Sequence, residues 1–473
     1  VTALGVNSIA FGIAKTMGRL SGYRHLHPSV VLVGSFGGMI LLGTLLLSLP
    51  VSSAGAPITF LQAFFTATSA VCVTGLVVVD TGAGFSLFGQ CVILLLIQAG
   101  GLGIMTFAVF VALALGRKIS FQDRIVIQDS MHHSPTSELR KLVRYILMFA
   151  FGVEALGALL LWLRWRHALA GGQSVYFSIF HSISAFCNAG FSPFRNSLMT
   201  LRGDVVTNLV VTGLVIVGGL GFLVNMELRD KFLDALRGRR RSPVSVHTKL
   251  VLSVTGWLLL IGMAVFLMIE WTNLLRGLPL GEKILAAWFQ AVTPRTAGFN
   301  TLDYGKATSA TLLLTMFLMF VGASPGSTGG GVKTTALGLF IVLLRARWSG
   351  RGRAMAFHRT IPHPVMDRAL TLTIFSFMLV SSALLALLLT EHGRAPHVEI
   401  GTRFVQLSFE TISAFGTVGL STGLTPDLTA ASQCIVIFLM FIGRVGPLTV
   451  ALAAGRKREQ GRYRYAEENV MVG

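Results

Sequence analysis

Four short stretches share a pattern with chemical meaning even if no side chain takes part: Val73-Thr-Gly-Leu76, Asn188-Ala-Gly-Phe191, Thr296-Ala-Gly-Phe299 and Thr417-Val-Gly-Leu420. Their glycines, Gly75, Gly190, Gly298 and Gly419, are separated by 115, 108 and 121 residues. The side chains around them vary, while the glycine and a following large apolar residue stay. That combination makes the main chain the working group. Glycine has no Cβ and takes torsions that other residues avoid. A main chain so bent offers carbonyl oxygens that replace the hydration shell of a cation. The candidate ion-binding positions are Cys72, Val73, Thr74 and Gly75; Cys187, Asn188, Ala189 and Gly190; Arg295, Thr296, Ala297 and Gly298; and Gly416, Thr417, Val418 and Gly419.

A second candidate set interrupts an apolar run. Ala310–Leu344 is longer than one membrane crossing and carries in its middle Gly322, Ala323, Ser324, Pro325, Gly326, Ser327, Thr328, Gly329, Gly330 and Gly331. The proline and the glycines all oppose a helix. A polar strip at that depth needs a water-lined cavity; the alternative is a plain kink between packed helices. The segment Gly326-Ser-Thr-Gly-Gly-Gly331-Val-Lys333-Thr imitates a phosphate-binding loop, but Val332 separates the glycine from the lysine, and no strand precedes it. Lys333 lies in this run and Arg444 in a later one, where charge is costly and usually functional. Arg444 reads either as an electrostatic barrier beneath the tetrads or as an anchor, by hydrogen bonds, for the glycine strip or a partner's terminus. Lys333 is the weaker case, near enough to the inner face to snorkel. Glu154 reads as a pairing group between helices, and Arg295 as facing the outer mouth or holding the third tetrad.

The elements that position these residues follow from the apolar pattern. Runs long enough to cross a bilayer occur at about Ser29–Leu49, Phe85–Leu115, Leu142–Leu163, Val205–Met226, His247–Trp271, Ala310–Leu344, Ala369–Leu389 and Ala430–Ala454. Between the members of each pair lies a shorter segment that ends in a tetrad and reads as a re-entrant half-helix. Ten residues before the glycines stand Phe65, Phe180, Trp288 and Phe409, and five before them Ala70, Ala185, Thr293 and Ala414. A second glycine cluster follows each tetrad: Gly100-Gly-Leu-Gly103, Gly218-Gly-Leu-Gly221, Gly322–Gly331 and Gly443-Arg-Val-Gly446. Close helix packing explains those well.

The expected fold is an all-α polytopic membrane protein. It has four repeats of spanning helix, pore loop and second spanning helix (M1–pore loop–M2) around a pseudo-fourfold central pore, hence eight spanning helices plus four re-entrant half-helices. The expected divisions are a cytoplasmic N-terminus (1–27), repeat 1 (28–116), an inner loop with repeat 2 (117–232), another with repeat 3 (233–346), another with repeat 4 (347–456), and a C-terminal tail (457–473). With both termini cytoplasmic, the inner segments hold 27 of the 39 lysines and arginines, the bias that inner loops show. The densest cluster, Arg237-Gly-Arg-Arg-Arg241, is a solvated loop or a partner-docking site. Gly5 to Gly22 does not read as a signal peptide.

Composition narrows the function classes. Only 12% of the 473 residues are charged and 53% are hydrophobic, too apolar for a soluble fold of this length. The net charge of +19 sits in the gaps between apolar runs, so it does not imply nucleic acid. Cys72, Cys91, Cys187 and Cys434 form no CxxC pair, which argues against a disulfide framework or zinc site. His132 with His133, and His358 with His363, lack a third partner at metal-ligand spacing. No paired carboxylates or nucleophile-base pair suggests an enzyme, and no organic cofactor is expected.

Ala70-Val-Cys-Val-Thr-Gly-Leu-Val-Val-Val-Asp-Thr81, Arg295-Thr-Ala-Gly-Phe-Asn-Thr301, Gly322–Gly331 and Gly443-Arg-Val-Gly-Pro-Leu-Thr449 together resemble the Trk/Ktr/HKT superfamily of cation transporters. The resemblance covers nearly the whole chain and is nearest to the KtrB type, with the TrkH type next. It implies potassium translocation across the inner (cytoplasmic) membrane through a selectivity filter, passively or with sodium as activator. It also implies an intramembrane gate at Gly322–Gly331, a homodimer, and a cytoplasmic ring of nucleotide-binding regulatory subunits of the KtrA or TrkA type. In this family serine at the first filter glycine goes with sodium permeation; Gly75 therefore favours potassium. A sodium-permeable relative is the alternative.

Overall fold

The computed structural model describes residues 28–114, 135–169, 171–238, 243–350, 353–393, 401–446 and 449. The terminal segments 1–27 and 457–473, most of the 237–241 arginine cluster, and His132 with His133 lie outside the described residues.

Four long helices follow from four apolar runs: α1 (Pro28–Leu47), α4 (Pro135–Trp165), α8 (Val246–Glu270) and α12 (His363–His392). Their stretches Val30–Leu47, Val143–Trp165, Val246–Glu270 and His363–Glu391 are long and apolar enough to cross a membrane. Their outward faces show large apolar side chains, among them Leu41, Leu45, Met148, Trp257, Met268, Phe377 and Met378. A surface of this kind needs lipid rather than water around it. Hydroxyls within the helices cause little conflict, because Thr44 and Ser376 donate to carbonyls four residues back at 2.8 and 2.7 Å.

Of the remaining apolar runs the first forms one helix nearly throughout, and the other three end early or break. The first gives α3 (Leu87–Ala114). The second gives α6 (Val205–Leu220) and α7 (Phe222–Leu236), bent by 106° at Gly221. The third gives α10 (Ser309–Phe320) and α11 (Thr334–Trp348), and the fourth α14 (Ala430–Val445). The bend, the break and the end of α14 all fall at the second glycine cluster. Gly221 has φ 88°, a torsion that a helix cannot continue through and that glycine alone takes freely.

Between each long helix and its successor lies a short one: α2 (Phe60–Val71), α5 (Gly171–Phe186), α9 (Leu280–Val292) and α13 (Arg403–Gly416). At 1.5 Å per residue none exceeds about 24 Å. Each starts at the surface, where Phe60, Val175, Leu280 and Phe404 are exposed, and ends buried at Val71, Phe186, Val292 and Phe415. Neighbouring units interlock in a cycle: α3 packs on α5, α6 on α9, α10 on α13, and α14 returns to α2.

One small departure from pure helix occurs between α11 and α12. Strands β1 (Met355–Ala356) and β2 (Arg359–Thr360) pair antiparallel across Phe357 and His358, both at positive φ. A two-residue turn of that hand suits the twist of a hairpin.

Candidate functional site

Each short helix ends in the interior and hands the chain to its tetrad. After Cys72 at φ −76°, Val73 is left-handed at φ 55° and Gly75 has φ 91°. The same pair of positive values recurs at Asn188 and Gly190 (59° and 70°), Thr296 and Gly298 (72° and 81°), and Thr417 and Gly419 (50° and 89°). Alternation of hand lets successive carbonyls line one side of a strand, as main-chain coordination of a cation requires. Val73, Thr296 and Thr417 are β-branched, so this torsion is strained and persists only where packing enforces it. All three are fully buried.

The four glycines meet in a ring. A Cβ on Gly75 would strike the carbonyl oxygen of Ala189; one on Gly190 would lie 2.8 Å from that of Ala297. One on Gly298 would strike the oxygen of Val418, and one on Gly419 that of Thr74. Each partner is the residue just before the next glycine in the cycle. The short helices aim their C-terminal ends, which carry partial negative charge, at this ring.

Hydroxyls that the sequence did not mark brace the ring. Ser69 Oγ accepts from the Gly75 amide at 3.1 Å and Ser413 Oγ from the Gly419 amide at 3.2 Å. Ser184 Oγ donates to the Phe191 carbonyl at 2.8 Å, and Thr293 Oγ1 donates to that of Phe299. The serines stand six residues before their glycines, but Thr293 stands five before. The third unit is therefore one residue shorter here. Counting offsets without a gap groups Thr293 with the alanines, whereas the structure groups it with the serines. The same shift makes Phe289 the buried ring of that unit (1% exposed). Trp288 instead donates to Thr212 Oγ1 at 3.2 Å.

The strip Gly322–Gly331 lies against this ring. The Gly330 amide donates to Thr417 Oγ1 at 3.1 Å, and a Cβ on Gly329 would strike Thr296 Oγ1. The other side of the strip is held by the second unit. Ser324 and Thr328 amides donate to Gly219 and Gly218 carbonyls at 3.1 and 3.3 Å, and the Phe222 amide donates to Gly326 at 3.1 Å. Thr328 Oγ1 donates to the Phe186 carbonyl at 3.2 Å, and Ser324 and Thr334 hydroxyls meet at 3.0 Å.

Two cations tie the strip down. Lys333 Nζ donates to the Gly329 carbonyl at 2.8 Å. Arg444, 2% exposed, donates to the Thr328 carbonyl and, at 2.8 Å, to that of Gly100. One guanidinium thus joins α14, α3 and the strip, the geometry of an anchor. The second glycines are sites of close packing: a Cβ on Gly100, Gly218 or Gly443 would strike the carbonyl of Val71, Phe186 or Phe415. Asn188 lies 3.1 Å from Thr296 Oγ1, bridging two tetrads.

Glu154 is buried in α4. Gln98 Nε2 donates to both its carboxylate oxygens at 3.0 Å, and Ser182 Oγ donates to its backbone carbonyl at 2.6 Å. Arg295 is 7% exposed and lines a cavity with α6, α8 and Ala323. The four cysteines are free. Among the described residues no cluster of His, Cys, Asp or Glu could hold a metal ion.

The chain matches the family described as TrkH, cation transport protein, over residues 5–465. It is 42% identical to the Ktr system potassium uptake protein B of Bacillus subtilis over 452 residues, 95% of this chain and 97% of that one. It is 40% identical to the potassium/sodium uptake protein NtpJ of Enterococcus hirae, covering 95% and 98%. Among solved structures, the potassium transporter TrkH from Vibrio parahaemolyticus has the same fold: TM-score 0.69, 18% identity, 92% of this chain and 86% of that one covered.

Proposed function

Because the chain belongs to the TrkH family of cation transport proteins, which are transporters and not enzymes, we propose that it carries potassium across the inner membrane through the ring of four tetrads. The observation that carries this reading is the cyclic contact of Gly75, Gly190, Gly298 and Gly419 with the carbonyls of Ala189, Ala297, Val418 and Thr74. Only main-chain oxygens can supply equivalent ligands from four stretches whose side chains differ. The Bacillus relative's name points to the same ion.

In this reading the short helices α2, α5, α9 and α13 are the re-entrant half-helices, and the other helices make up eight spans in four repeats. Gly322–Gly331, held by Lys333 and Arg444, is the gate. The bias of lysine and arginine toward the inner segments supports a cytoplasmic position for both termini. The chain works as a homodimer docked on a KtrA- or TrkA-type ring through its basic inner loops, and sodium acts as a stimulating ion. A sodium-permeable pore is the second reading, favoured by the Enterococcus relative, which is named for both ions.

Potassium uptake by cells that lack their own uptake systems tests the proposal, with and without a co-expressed ring subunit. Restored uptake from low external potassium is expected, and a larger rate with the ring. No uptake by membrane-inserted chain in either strain would overturn it.

A further inference from the structure

Behind the ring stands a second set of polar side chains, one per unit. Thr66, His181 and Glu410 lie nine residues before Gly75, Gly190 and Gly419, and Gln290 lies eight before Gly298, in the unit that is one residue shorter. All four belong to the short helices and are 0–2% exposed. Polar groups so deep are costly unless they are hydrogen-bonded. Three of them bond to the strand that leaves their own tetrad.

His181 uses both ring nitrogens. The Phe177 carbonyl, 2.8 Å from Nδ1, can only accept, so Nδ1 carries the hydrogen. In the neutral imidazole Nε2 then accepts from Ser192 Oγ at 2.9 Å, and that oxygen accepts in turn from the Phe194 amide at 3.0 Å. Gln290 Nε2 donates to Thr301 Oγ1 at 3.4 Å, while the Tyr304 hydroxyl donates to Gln290 Oε1 at 2.6 Å. The Glu410 carboxylate accepts from the Ser421 and Thr425 hydroxyls at 2.6 and 2.7 Å, and from the Thr422 amide at 3.0 Å. Ser192, Thr301, Ser421 and Thr422 each follow their glycine by two or three residues. The first unit carries Val77 and Val78 at those places, and its Thr66 hydroxyl has no partner.

We propose that His181, Gln290 and Glu410 are positioning residues that pin the exit strands of the second, third and fourth tetrads and so fix the ring's carbonyls for potassium. The first tetrad has no such pin. The inference rests on the reading of the ring as the ion path. Left-handed residues such as Asn188, Thr296 and Thr417 keep their torsions only where the surroundings enforce them. Ion choice by carbonyls then depends on how firmly the strands that carry them are held.

Removing the partner alone leaves each buried side chain in place, so Ser192→Ala and Thr301→Val test the pins with little disturbance to packing. In proteoliposomes, potassium-over-sodium selectivity should fall about three- to tenfold in each, the worth of one neutral hydrogen bond. Thr66→Val breaks no bond and should match the wild type. His181→Leu should lose selectivity, and His181→Gln, which imports the third unit's side chain, should keep most of it. Hydrogen exchange in segments 191–195 and 299–302 should quicken in Ser192→Ala and Thr301→Val respectively, a readout independent of the ion carried. A wild type without ion preference would count against the transport reading, and exchange would still decide the pins. Partner variants with a lowered melting temperature but wild-type selectivity, or with unchanged exchange, would overturn the proposal. So would an equal loss of selectivity in Thr66→Val.

Discussion

Gly419 sits so close to the carbonyl oxygen of Thr74 that any Cβ there would strike it. The two residues are distant in sequence, and their contact closes the cycle that Gly75 opens against Ala189. A chain with four loosely related tetrads has no other reason to bring its last glycine onto its first tetrad. The hydroxyl braces, the strip and the buried charges all act on this closed ring.

The braces give a first prediction. Ser69→Ala leaves the buried Gly75 amide without its acceptor, and Ser413→Ala does the same at Gly419. An unsatisfied buried amide costs about 1–3 kcal/mol. Potassium-over-sodium selectivity in proteoliposomes should fall about tenfold in each, with normal membrane insertion. Unaltered selectivity would remove the hydroxyls from the account.

Arg444 holds the strip through two carbonyls. Arg444→Gln and Arg444→Lys should both raise resting potassium flux, because neither can keep the two bonds to separate elements. If Arg444→Lys behaved as wild type while Arg444→Gln leaked, charge alone would be what matters, and the barrier reading would replace the anchor.

Glu154 and Gln98 form a clamp between α4 and α3. Replacing Glu154 with Leu strands the Gln98 amide in an apolar setting and should destabilise the detergent-solubilised protein by about 1–3 kcal/mol. Glu154→Gln retains one acceptor and should lose less. Thermal unfolding followed by tryptophan fluorescence measures both, and equal stability of the two variants would contradict the clamp.

Gly221 makes the 106° bend between α6 and α7. Alanine at φ 88° and ψ 151°, a region that only glycine takes freely, costs about 1–3 kcal/mol, and its Cβ would lie 2.6 Å from the Pro325 carbonyl. Gly221→Ala should therefore loosen the strip as well as destabilise the chain, and resting flux should rise. A stable variant with wild-type flux would show that the bend does not control the strip.

Much of this arrangement was legible in the sequence because glycine reports backbone demand directly. The spacing of Gly75, Gly190, Gly298 and Gly419 marked the ring, and the apolar runs marked the long helices. The second helices were less legible. Gly221, in the cluster Gly218-Gly-Leu-Gly221 within an apolar run, looks like a packing residue, and its torsion is visible only once the chain is folded. Ser69, Ser184 and Ser413 were missed because serine is common and Thr293 is out of register by one residue. The surroundings of Arg295 were not legible because its neighbours in sequence belong to the tetrad, while the cavity it lines is built by α6 and α8.

The closure of the ring is tested most directly by competitive potassium and sodium flux in proteoliposomes carrying Gly75→Ser or Gly419→Ser chain. Each substitution puts a side chain at positive φ against a neighbouring tetrad's carbonyl. Both variants should insert normally, lose potassium preference and admit sodium. Wild-type selectivity in both would contradict the ring as the site of ion choice.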